Sequence, residues 1–305
     1  MKQKISKLFF IIASVALLAT HTVQLMFMTD RYTGFFKPEY AAFRFIFGVF
    51  AALICVMMIY FGLQRQSEVR APLKISKLCG IVSMLAALGF LAGNVISSIG
   101  NFTIGSFFKM FMAIITASFF LVFGLCGMLR VPFPKVLALL SVPYFIYCLI
   151  EAFIRNSGMS LISENVYEII MLIFVLLFFL YAAKFLCQID PHKNATLLIP
   201  VGFIAAMFCF VCTVPRYIII FTGNIEVLKV NKYPDFSIFA TGVFIAFFCF
   251  SVVNMCKPLK EKKEIKKHET QGISKLEDEA VEEQPEVQNE ASNDDDTPSD
   301  LDFYI

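Results

Sequence analysis

The stretch Pro143–Ile169, PYFIYCLIEAFIRNSGMSLISENVYEI, joins two apolar runs through a short polar turn. Glu151, Arg155, Glu164 and Glu168 lie around this turn. The apolar runs on either side approach the length of about 20 residues that a helix needs to cross the hydrocarbon core of a bilayer. The pattern predicts two membrane helices joined by a charged turn at one surface.

The composition extends this pattern to most of the chain. Of 305 residues, 58% are hydrophobic and 16% are charged, whereas soluble domains usually have about 25% charged residues. Backbone groups in lipid need internal hydrogen bonds, which long apolar runs satisfy as helices. We therefore predict an all-α polytopic membrane bundle of about eight helices. The predicted spans are 8–28, 41–63, 78–99, 106–129, 136–154, 166–187, 197–222 and 236–255.

The charged residues divide the chain into two domains. Residues 257–305 contain 7 Lys and 15 Asp or Glu and few apolar residues, a composition that cannot bury a core. We predict a transmembrane domain over 1–256 and a largely disordered cytoplasmic tail over 257–305. The tail would be available for contact with a cytoplasmic protein.

The Lys and Arg residues predict the orientation. One set of loops carries 11 of them against only Glu68 and Asp190, and such loops face the cytoplasm. Both termini are therefore predicted to be cytoplasmic, in the plasma membrane. An alternative is that the first apolar run is a secretory signal cleaved near Ala19, which would leave seven spans.

Ionisable residues within the spans lie in the outer half of the membrane or at its edge. The inner stretches 8–18, 48–63 and 172–183 contain no charge. A charge at mid-bilayer costs at least about 2.5–3.5 kcal/mol, so this asymmetry predicts an outward-facing polar vestibule. Charges that only hold helices together, or that reach the head groups, are the alternative. The candidate ligand-binding residues are His21, Arg44, Lys109, Glu151, Glu168 and Arg216.

The spacing of the charges predicts how they pair. Glu151 and Arg155 are four residues apart in the order that favours an ion pair within one helix. Glu164 and Glu168 share that spacing but carry like charges, so a cation from another helix would suit them. The candidate cations are Arg44, Lys109 and Arg216.

Three further motifs concern the backbone and cofactors. Pro143 and Pro215 lie within predicted spans, where proline favours a kink. Gly89 and Gly93 form a GxxxG motif, which allows close approach of another helix. The CxxC of residues 209–212 lies at lipid depth with no second pair or histidine cluster, so we predict no metal, cofactor or catalytic residue.

Three functions fit these features. The first is a sensor or accessory protein that binds a small molecule, ion or lipid head group from the outer side. The second is a small-solute transporter, and the third is an enzyme that acts on lipids through a carboxylate base. The lipid bilayer is the expected environment in every case. No feature of the sequence indicates nucleic acid binding.

Overall fold

The computed structural model describes residues 2–30, 37–63, 67–69, 76–98, 103–157, 163–223 and 235–258. The chain divides into two units, 1–259 and 260–305, and all described residues belong to the first. The prediction of a disordered tail therefore concerns residues outside this description, apart from Lys257 and Pro258.

The described residues confirm a helical membrane bundle. Helix α1 covers Lys2–Val23 and continues as a π-helical turn, Gln24–Met28, and a 3₁₀ turn at Pro38–Tyr40 leads into α2, Ala41–Leu63. The following helices are α3 (Lys77–Ser98), α4 (Ile104–Leu129), α5 (Val142–Ser157), α6 (Ser163–Leu186), α7 (Pro191–Phe221) and α8 (Phe236–Met255). A 3₁₀ segment, Lys135–Leu139, precedes α5.

Among the residues that the structure describes, seven segments are long and apolar enough to cross a membrane. Helix α2 contains a shorter apolar segment, Phe45–Tyr60. The whole of α2 nevertheless has 23 residues, which is the length of a span because a helix rises about 1.5 Å per residue. Helices thus lie at all eight predicted positions, seven of these segments are long and apolar enough to cross a membrane, and the fifth is interrupted.

Two three-residue strands occur beside the helices. Strand β1, Ser67–Val69, lies in the connection between α2 and α3, and β2, Cys256–Pro258, directly follows α8. They pair antiparallel, with Glu68 opposite Lys257. This pairing ties the end of the last helix to the α2–α3 connection.

Six of the helices form a ring. Helix α3 packs against α4 and α8, α7 packs against α8 and α6, and α5 closes the ring between α4 and α6. Helices α1 and α2 both pack against α7 and contact each other. Helix α7 therefore joins the ring to the first two helices.

Phenylalanine side chains fill the interior of the ring. Phe120 is fully buried, and its ring centroid lies 5.6 Å from that of Phe90, 6.0 Å from Phe179 and 4.8 Å from Phe244. Phe123 continues the cluster to Phe248 at 5.5 Å. We call this group the phenylalanine core. Within the described residues it occupies the position that a channel through the ring would need.

The GxxxG motif lies where α3 meets α8. A Cβ atom on Gly89 would lie 3.1 Å from Cβ of Ala240, and one on Gly93 would lie 3.1 Å from the backbone carbonyl carbon of Phe236. The predicted close approach is therefore confirmed, and it occurs between two helices of the same chain.

The kink predicted at Pro143 is wrong. The span Lys135–Arg155 is interrupted at Leu140 and Ser141, and α5 begins at Val142. Pro143 therefore lies in the first helical turn, where a missing N–H costs no helical hydrogen bond. Pro215 does lie inside a helix, since α7 runs through both it and Pro200.

Candidate functional site

The ion pairs that join helices among the described residues, Lys109–Glu151 and Arg155–Glu168, lie at one end of the ring, which we call the polar end. Helices α3, α5 and α7 end there, and α4, α6 and α8 begin there. Because the chain alternates direction, residues distant in sequence meet at this end. Most polar contacts between helices described below occur here.

Helix α5 contributes a continuous polar stripe. Tyr144, Cys148, Glu151 and Arg155 follow the spacing i, i+4, i+7 and i+11, which places them on one face of a helix. The opposite face is apolar and exposed, as Phe153 at 66% shows. Tyr144 is buried and Cys148 and Glu151 are half-buried. The stripe is therefore directed into the bundle, and the apolar face suits contact with lipid.

Tyr144, at the buried end of the stripe, packs against the phenylalanine core. The Tyr144 hydroxyl donates a hydrogen bond of 2.8 Å to Oδ1 of Asn94. The Asn94 amide in turn donates to the carbonyl oxygen of Phe90 at 2.9 Å. The ring of Phe90 meets the ring of Tyr144 edge to face, with centroids 4.8 Å apart. Tyr144 thus contacts both a polar side chain, Asn94, and the phenylalanine core.

An ion pair lies further along the stripe, towards the polar end. Nζ of Lys109 on α4 lies 3.1 Å from Oε2 of Glu151, and the two side chains are 27% and 37% exposed. Asp235 also interacts electrostatically with Lys109. Asp235 precedes α8, where its Oδ1 accepts hydrogen bonds from the backbone N–H and hydroxyl of Ser237. The ammonium of Lys109 is therefore paired with Glu151, and the Asp235 carboxylate acts on it only from a greater distance.

A second ion pair joins α5 to α6 at the exposed end of the stripe. A guanidinium nitrogen of Arg155 donates to Oε1 of Glu168 over 3.0 Å. The intrahelical pair expected between Glu151 and Arg155 is thus replaced by two pairs between helices. This arrangement gives all four charged groups an opposite partner, whereas the intrahelical pair would serve only two of them.

The second group of polar residues surrounds the end of α1. His21 and Gln24 are both buried, and Nδ1 of His21 lies 3.3 Å from Oε1 of Gln24. The rings of His21 and of Tyr167 on α6 are nearly perpendicular, with centroids 5.2 Å apart. Arg216 on α7 interacts electrostatically with His21. These residues connect α1 to α6 and α7.

The six predicted residues divide into groups. Lys109 and Glu151 are in direct contact, and Glu168 pairs with Arg155. His21 and Arg216 belong to the group around α1. The side chains of Arg44 and Glu164 lie outside the described residues. Among the side chains that the structure describes, Lys109 and Glu151 are therefore two of the six that are in direct contact with each other.

The candidate residues predicted from the sequence did not include four of the residues that surround the Lys109–Glu151 pair. We define the α5 cluster as Asn94, Lys109, Tyr144, Cys148, Glu151 and Asp235. The helical spacing of Tyr144, Cys148, Glu151 and Arg155 was a usable signal in the sequence. Asp235 had no such signal, because its position relative to Lys109 depends on how α8 packs between α3 and α7 in the ring.

Within the ranges that the structure describes, no three His, Cys, Asp or Glu residues are placed to hold a metal ion. Cys209 and Cys212 are buried in α7 and are not joined by a disulfide.

Comparison with known proteins gave no match: no family model, curated protein or solved structure resembles this chain significantly.

Proposed function

We propose that this protein binds a small polar ligand at the α5 cluster and acts as a sensor or accessory protein in the membrane. The observation that most supports this proposal is the order of the contacts along the α5 stripe. It leads from a half-exposed ion pair to the buried Tyr144–Asn94 hydrogen bond and ends on the phenylalanine core. A ligand could thus enter from the polar end while the core closes the path beyond it.

The Lys109–Glu151 pair is expected to contribute little to the stability of the protein. Ion pairs open to solvent contribute about 0–1 kcal/mol, and both side chains of this pair are more than a quarter exposed. Charged groups within membrane helices commonly face a water-filled cavity or mark a functional site. The α5 cluster combines that position with hydroxyl, thiol, amide and carboxylate groups.

The distribution of Lys and Arg supports an outward-facing site. The polar end is opposite the strongly basic loops, which the positive-inside rule assigns to the cytoplasm. A ligand would then arrive from outside. The tail after α8 would lie on the cytoplasmic side, where a partner protein could contact it.

Transport is the second candidate, and the interruption of the fifth span favours it. Ser141 is fully buried at this interruption, and its hydroxyl has no hydrogen-bond partner among the described residues. Transporters often bind substrates and ions at discontinuous helices. Transport would require the phenylalanine core to separate.

Thermal unfolding of the purified chain in detergent tests the proposal. The protein would be unfolded in the presence of candidate ligands, which are amines, amino acids, carboxylates, monosaccharides and phosphate. A ligand at 100 times its Kd stabilises a protein by about 2.7 kcal/mol, so at least one class should raise Tm. Lys109→Met and Glu151→Gln should each abolish that increase. Lys184→Met is the control, because Lys184 lies over the Tyr181 ring near the opposite end of α6.

The outcomes separate the candidate functions. A folded parent protein that no solute stabilises, together with unfolded Lys109→Met and Glu151→Gln variants, would mean that the pair is structural. Accumulation of the stabilising solute inside sealed liposomes would establish transport instead of sensing. Binding without accumulation is the result that we expect.

A further inference from the structure

We propose that a water molecule is bound at the interruption of the fifth span, between the 3₁₀ segment Lys135–Leu139 and α5. The groups that would hold it are the hydroxyls of Ser141 and Thr116 and the carbonyl oxygen of Leu140. This inference does not depend on ligand binding at the α5 cluster.

The hydroxyl of Ser141 is the first observation that supports this site. Ser141 is fully buried, and its hydroxyl has no hydrogen-bond partner among the described residues. It directly precedes α5, in the position from which a serine usually accepts a hydrogen bond from the second or third N–H of the helix. The second position is occupied by Pro143, which has no N–H. A buried hydroxyl therefore lies beside a helix N-terminus, where the first N–H groups have no partner within the helix.

The contact between Thr116 and Leu140 is the second observation. Thr116 on α4 is fully buried, and its hydroxyl donates to the carbonyl oxygen of Leu140 over 3.4 Å. Hydrogen bonds between a hydroxyl and an oxygen are usually about 2.5–3.0 Å long, so this one is weak. The carbonyl oxygen of Leu140 has two lone pairs and belongs to the residue directly before Ser141. Weakly used acceptor capacity therefore lies next to the hydroxyl of Ser141.

Water is the ligand that suits this mixture of donors and acceptors. One water molecule can accept a hydrogen bond from Ser141 and donate one to Leu140. An anion would leave the carbonyl oxygen without a donor, and a metal cation would leave the hydroxyl proton and the N–H groups without an acceptor. Buried waters typically make about three hydrogen bonds to polar groups that otherwise have no partner. Ordered waters and Ser or Thr side chains also satisfy the backbone where membrane helices are broken.

The water site would extend the polar side of α5 further into the membrane. Ser141 precedes Tyr144 by three residues, which is about one helical turn. The buried Tyr144–Asn94 hydrogen bond would then be followed by a bound water at the point where the span is interrupted.

The substitution Ser141→Ala distinguishes a bound water from an unpaired hydroxyl by the sign of its effect on stability. Loss of a hydrogen-bonded hydroxyl destabilises a protein, whereas loss of an unpaired buried hydroxyl is neutral or stabilising. We expect Tm of the full-length chain in detergent to fall by roughly 2–4 °C, the shift that one such bond produces in a domain of this size. Ser118→Ala is the matched control, because the Ser118 hydroxyl donates within its own helix to Ile114 at 2.9 Å, and it should retain the parent Tm. An unchanged or raised Tm for Ser141→Ala would overturn the inference.

X-ray footprinting would detect the water itself, because hydroxyl radicals formed from a bound water oxidise the side chains beside it. The oxidised residues of the full-length protein would be mapped by mass spectrometry. We expect oxidation of Val142 and Phe145, which are both buried in the first turns of α5, but not of the equally buried Phe203 on α7. Ser141→Ala should lose this oxidation and Ser118→Ala should retain it. Val142 and Phe145 as unreactive as Phe203 in the parent protein would overturn the water site, even if Ser141→Ala lowered Tm.

Discussion

Replacement of Gly93 by valine is expected to separate α3 from α8 and to destabilise the protein severely. Even a single added carbon at this position would lie 3.1 Å from the backbone carbonyl carbon of Phe236. Backbone cannot move aside as a flexible side chain can. Because close packing is a principal force between membrane helices, we expect a loss of about 3 kcal/mol or more, the upper end of the cost of overpacking.

Thermal unfolding in detergent would measure this loss, with Gly48→Val as the matched control. Gly48 lies inside α2, and a Cβ atom there would have nothing within 4 Å. The control should retain the parent Tm. Equal Tm values for the parent and both variants would contradict the described contact between α3 and α8.

Replacement of Phe120 by alanine is expected to have the second-largest effect. The side chain is fully buried and contacts Phe90, Phe179 and Phe244. In a water-soluble protein this change costs about 3–5 kcal/mol. Part of that cost disappears in a membrane, because lipid is as apolar as the core. The cavity and the lost packing remain, so we expect a loss of about 2 kcal/mol.

Phe107→Ala on the same helix is the control for this change. Phe107 is 74% exposed, so its replacement should leave the unfolding free energy nearly unchanged. Unfolding of the reconstituted protein by a denaturing detergent would compare the two variants. A similar small effect for both would show that Phe120 is not part of a packed core.

Helix positions were predictable because the bilayer imposes a minimum length of apolar sequence. The bounds of α2 and α8 agree with their predicted spans, 41–63 and 236–255. The fifth span differed because hydropathy continues through Leu140 and Ser141, where the helix is interrupted. Pro143 was a clue to a new helix start, since proline favours the first turn.

Pairing of the charged residues was less predictable. Local spacing favoured Glu151 with Arg155, but neighbouring helices offered Lys109 and Glu168 as partners. Which helices are neighbours depends on packing in three dimensions, and GxxxG is the only motif in the sequence that indicated such a contact. The location of Lys109, Glu151, Arg155 and Glu168 at the same end was predictable, because it follows from their positions along the spans.

Access to Cys148 from each side of the membrane tests the central proposal most directly. A membrane-impermeant thiol reagent would be applied to sealed vesicles of both orientations. Cys187, which is half-buried after α6 with its thiol 3.6 Å from the carbonyl oxygen of Lys135, marks the opposite end in the same molecule. We expect Cys148 to be labelled only in vesicles that expose the polar end, and Cys187 only in those of the other orientation. Labelling of Cys148 from the side that labels Cys187 would contradict the proposal, because water would then pass the phenylalanine core.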